Sequence, residues 1–64
     1  MIEEELIRIS NMDLQQLLLK VRNIKHWPEH HTRNQLKQAI SNKLNSYGYK
    51  LVEGCCGQYT AEIL

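Results

Sequence analysis

One stretch constrains this chain more than any other: Thr32 to Tyr47, TRNQLKQAISNKLNSY. Leu36, Ala39, Ile40, Leu44 and Tyr47 recur at three- and four-residue steps, which sets them on one stripe and predicts a helix over residues 33–46. The opposite face carries Arg33, Asn34, Lys37, Gln38, Ser41, Asn42 and Asn45, and no carboxylate. Thr32 is placed to cap the helix, with Gln35 reaching back to complete a capping box. Gly48 follows the last apolar position, where a left-handed residue closes a helix.

The remainder of the chain must pack against that stripe with few resources. Its 64 residues fit one domain, 1–64, near the lower limit for a self-sufficient core. At 42% hydrophobic and 23% charged residues the composition is that of a globular chain. There is no Phe, so Leu, Ile and Val must build the core around Trp27, Tyr47, Tyr49 and Tyr59. A core this small calls for a partner or self-association, and a homodimer is one expectation. No apolar run approaches the ~20 residues of a membrane span. The start, MIEEEL, is acidic where a secretory signal is basic and then apolar, so a cytoplasmic location with Cys55 and Cys56 reduced is expected.

Before the central helix, ELIRI (residues 5–9) alternates Ile7 and Ile9 about Arg8 and is expected to form a short strand. A helix over residues 2–9 competes, since Ile2, Leu6 and Ile9 also share a helical face. The strand is preferred because SNMD reads as a fresh helix start, with Ser10 or Asn11 as cap and Asp13 in the first turn. A first helix then runs from about Met12 to Lys25, burying Leu14, Leu17, Leu18, Val21 and Ile24. Met12 and Leu19 fall off that stripe. HWPEHH connects the helices: Pro28 breaks the helix at Trp27, which is expected to plug the core.

YKLVEGCCGQYTAEIL reads as a hairpin. A two-residue Cys-Cys turn would split its apolar residues between both faces. A three-residue loop, Cys55-Cys56-Gly57, pairs Leu51 with Ala61 and Tyr49 with Ile63, with Gly57 left-handed. The expected order is β-α-α-β-β, an α+β fold with two helices packed on a three-stranded antiparallel sheet.

Charge is distributed unevenly. Residues 1–19 hold four carboxylates against Arg8, residues 20–50 hold seven cations against Glu29, and residues 51–64 add Glu53 and Glu62. A basic middle of this kind points to a polyanion partner. Asn and Gln can bond adenine edges and Arg guanine, while Lys and Ser serve phosphates. The candidate nucleic-acid-binding set is therefore Arg33, Asn34, Lys37, Gln38, Ser41 and Lys43.

The order of elements and the helix–Gly48–Tyr49–hairpin junction resemble winged helix-turn-helix DNA-binding domains over residues 5–64. The resemblance implies that Arg33, Asn34, Lys37, Gln38 and Ser41 face the major groove. It also implies that the loop from Gly54 to Gly57 acts as the wing, along the backbone or minor groove.

His26, His30 and His31, with Glu29, Cys55 and Cys56, are the residue types that bind zinc. Pro28 interrupts the turn that would align His26 with His30, and adjacent cysteines are not a Cys-x-x-Cys chelate, so no metal and no cofactor are expected. No Gly-rich phosphate loop, nucleophile elbow or paired-acid motif is present, and no enzymatic activity is expected. A second class fits the same residues: a small modulator or inhibitor of a larger protein, a nucleic-acid-processing one being one option. It would bind through the acidic amino terminus, Met12 and Leu19, or the hairpin edge. The two classes differ in whether Arg33, Lys37 and Lys43 are joined on one surface by Lys20 or Lys50, or broken up by Glu53 and Glu62.

Overall fold

The computed structural model describes residues 2–64; the side chain of Cys56 lies outside that description, and so does its part in the cysteine reading. Three α-helices precede a hairpin: α1 (Ile2–Ser10), α2 (Leu14–Asn23), α3 (His30–Ser46), β1 (Tyr49–Glu53) and β2 (Tyr59–Ile63). The fold is α+β, with a two-stranded antiparallel sheet among the described residues.

The amino-terminal segment corrects the expected strand. Residues 2–10 are helical, so the sheet lacks a third strand. Ile2, Glu5, Leu6 and Ile9 repeat at helical spacing over the whole segment, and that face is the one turned inward; Ile7, which a strand would bury beside Ile9, is 62% exposed. Glu3, Glu4 and Glu5 in the first turn also suit the positive end of the helix dipole. Two β-branched residues cannot outweigh a complete amphipathic stripe with an adjoining helix to receive it. The chain leaves α1 in a tight turn, Asn11 N–H donating to Arg8 O at 3.1 Å and Met12 N–H to Ile9 O at 3.1 Å.

The cap of α2 is Asp13 rather than Ser10 or Asn11. Gln16 N–H donates to Asp13 Oδ1 at 2.9 Å and Asp13 N–H to Gln16 Oε1 at 3.3 Å, a reciprocal capping box. Past Asn23 the helix tightens into a 3₁₀ turn, Ile24–His26, and stops at Trp27 before Pro28. α3 begins at His30, three residues earlier than the capping pattern indicated. Thr32 is inside the helix and buried: its hydroxyl accepts the Trp27 Nε1–H at 2.8 Å and donates to Glu29 O at 3.1 Å. Trp27 is half-buried against the core, held by that bond.

The core joins Ile9, Leu17, Val21, Ile24, Leu36, Ile40, Leu44 and Tyr59. Leu18 and Tyr47, expected on buried stripes, are exposed. Tyr47 is the residue where α3 ends, and its hydroxyl donates to Met12 O at 3.4 Å. The hairpin has the expected register, Leu51 opposite Ala61 and Tyr49 opposite Ile63. Gly54 N–H donates to Gln58 O at 2.7 Å around the 3₁₀ turn Cys55–Gly57, and Gly57 is left-handed at φ 76°. β1 rests on α3 and β2 on α2, while α1 covers another flank of α3.

Candidate nucleic-acid interface

Asn34, Lys37, Gln38 and Ser41 follow one another at three- and four-residue steps along α3, beside its buried stripe. With Leu51 and Glu53 of β1 and Tyr59 of β2 they line an open groove between helix and hairpin. Asn34 and Gln38 are exposed, whereas Lys37 and Ser41 are half-buried where the hairpin approaches. The Lys37 ammonium lies 5.4 Å from the centre of the Tyr59 ring and 3.5 Å from Glu53 Oε1. Its stem thus packs on the hairpin while its charge is shared between an aromatic face and a carboxylate.

Two residues of the expected set are elsewhere. Arg33 is half-buried and turned toward the connector, donating from Nη2 to Trp27 O at 2.8 Å. Its Nε is buried with no hydrogen-bond partner among the described residues. With the Trp27–Thr32 bond it clamps the start of α3, a structural task that leaves it little freedom to read a base. Lys43 lies on the α1 side of the helix, near Leu6 and Ser10, with its ammonium 5.8 Å from the centre of the Tyr47 ring. Arg33, Lys37 and Lys43 do not form one basic surface.

Folding also brings the acidic ends of the chain onto its basic middle. Glu5 holds Lys20 and lies 3.7 Å from Arg8; Glu53 meets Lys37; and Glu62 stands directly across the ladder from Lys50. The linear charge count could not show the pairing of Glu5 with Lys20, Glu53 with Lys37 and Glu62 with Lys50, because each joins residues far apart in sequence. Arg22 and Lys25, two of the seven cations of residues 20–50 but not of the expected binding set, are exposed beside Gln58 and Thr60 where α2 meets the hairpin. The hairpin therefore has Lys37 on one side and Arg22 with Lys25 on the other.

No family model, curated protein or solved structure matches the chain.

Other features bear on the surface. Cys55 is an exposed free thiol at the hairpin tip. Among the described residues, no group of three or more His, Cys, Asp or Glu side chains is gathered as a metal site, and no helix is long and apolar enough to cross a membrane. A second open groove separates α1 from α2, with Ile7, Met12 and Leu19 among its lining residues.

Proposed function

We propose that this chain is a small winged-helix-like nucleic-acid-binding domain that presents the amide face of α3 to a groove and lays the hairpin loop beside it. The observation that carries the reading is the gathering of Asn34, Lys37, Gln38 and Ser41 along one groove flanked by the hairpin. The order of three helices followed by a hairpin packed on the last two supports it as well. In this reading Asn34 and Gln38 bond base edges, Ser41 and Lys37 reach the backbone, and Arg22 and Lys25 meet phosphates across the hairpin. It involves no catalytic step, cofactor or metal. Its setting is intracellular, where the Cys55 thiol stays reduced.

The ion pairs set the strength of such binding. With three cations available to phosphates, the logarithm of affinity should fall with the logarithm of salt at a slope of about −2 to −3. Fluorescence anisotropy with labelled duplex and single strands, at low and physiological salt, tests the proposal. Absence of binding to either at low salt would end it.

The Lys37–Glu53 pair favours a second reading from another class. A groove whose cation is internally matched and whose rim is amide suits a polar protein surface better than a polyanion. The chain would then modulate a larger protein through the same groove. Capture of a protein partner that survives nuclease, and is lost in Gln38→Ala, distinguishes this from nucleic-acid binding.

A further inference from the structure

The groove between α1 and α2 shares no lining residue with the one between α3 and the hairpin. Its apolar surface comes from both helices: Ile7 is 62% and Leu19 63% exposed, with half-buried Met12 between them. Two large aliphatic side chains this exposed on adjacent helices, in so small a chain, form a contiguous apolar face rather than scattered surface residues.

The charges around that face say what covers it. On α1, Glu4, Ile7 and Arg8 share one exposed stripe, with the acid in the first half of the helix and the cation in the second; Ile7 and Arg8 line the groove and Glu4 lies one turn before them. The Arg8 side chain is 70% exposed, and the carboxylate nearest it, Glu5, is already held by Lys20. An acidic helix laid here would satisfy Arg8 but oppose Glu3 and Glu4; a basic one would do the reverse. A helix that changes sign along its length and runs antiparallel satisfies both ends, and α1 is such a helix.

We infer that a second copy of this chain occupies the α1–α2 groove, forming a two-fold dimer in which α1 packs antiparallel against α1. Ile7 then meets Ile7 of the second copy near the axis, and Leu19 and Met12 close over the pair. Glu4 of each chain comes within reach of Arg8 of the other. A two-fold contact uses the same patch twice, so one self-complementary stripe suffices. The dimer does not depend on what the α3–hairpin groove binds.

The full chain should sediment with a concentration-dependent mass approaching that of two chains. Ile7→Asp/Leu19→Asp alters only exposed positions and should leave the far-ultraviolet circular dichroism intact. It should raise the dimer Kd by about a hundredfold or more, as expected when interface anchors are lost. Glu4→Arg and Arg8→Glu should each weaken the dimer, and the double exchange should restore it. In a Cys55→Ser/Cys56→Ser background, Ile7→Cys should cross-link to itself under mild oxidation. A monomer at every concentration overturns the proposal and leaves the face to a different partner. A dimer indifferent to the Asp substitutions, or single charge reversals that the double exchange does not rescue, overturns it equally.

Discussion

Thr32 stands between the Trp27 indole and the Glu29 carbonyl, accepting from one and donating to the other. Thr32→Val keeps the shape but leaves both of those groups without it. It should cost about 1–2 kcal/mol in urea unfolding, the usual loss when a partly buried donor is orphaned. Thr32→Ser should retain most of the stability, and an unchanged midpoint for Thr32→Val would show that the bond carries no weight. At Gly57 the constraint is the backbone alone, because nothing lies within 4 Å of where a Cβ would be. Gly57→Val should therefore destabilise by about 1 kcal/mol or more through the left-handed φ, and Gly57→Asn by less. Gly57 was legible in the sequence, since loop length and the apolar alternation of both arms left it one conformation. Thr32 and Arg33 were not. Thr32-x-x-Gln35 matches a capping box as well as a buried threonine does, and only the folded position of Trp27 decides between them. The same indole-bearing residue draws the Arg33 guanidinium away from the outer face of α3.

At the scale of elements, α1 and α2 are joined through Glu5 and Lys20, whose side chains are 11% and 20% exposed. Glu5→Gln should destabilise by about 1–3 kcal/mol, less than for a pair wholly removed from water. The matched exchange Glu5→Leu/Lys20→Met should recover most of that loss, which thermal and urea unfolding together would measure. If the single substitution were neutral, α1 would be docked by Ile2, Leu6 and Ile9 alone. The helices α2 and α3 and the hairpin register could be read in advance because each repeats one period over many residues. α1 could not, since residues 5–9 satisfy both periods. What resolves them is the flank of α3 around Ala39 and Lys43, a surface that exists only once the chain has folded.

Across the whole molecule, the charge separation written along the sequence is partly cancelled in space, Glu5 meeting Lys20, Glu53 meeting Lys37 and Glu62 lying across the ladder from Lys50. Four of the six residues expected to touch nucleic acid share a groove or its rim, because a helix face is a local property. Arg33 departs because its contact with the connector is not local, whereas Lys43 lies on the opposite side of the helix from those four, which helical spacing alone dictates. For the proposed nucleic-acid binding, Lys37→Ala should weaken affinity for all sequences alike and make the salt slope shallower by about one. Gln38→Ala should instead relax sequence preference, at about 1–3 kcal/mol for a bidentate contact. Equal loss on every sequence for Gln38→Ala would remove it from base reading. The hairpin, finally, has one strand on α3 and the other on α2, and Tyr59 is its one core residue among those described. β2 finds its surface on α2 only once that helix has docked beside α3, so the hairpin should close late on the route to the native state. Substitution of Tyr59 by Leu should then accelerate unfolding while leaving the refolding rate nearly unchanged, and the arms of a chevron plot would show it.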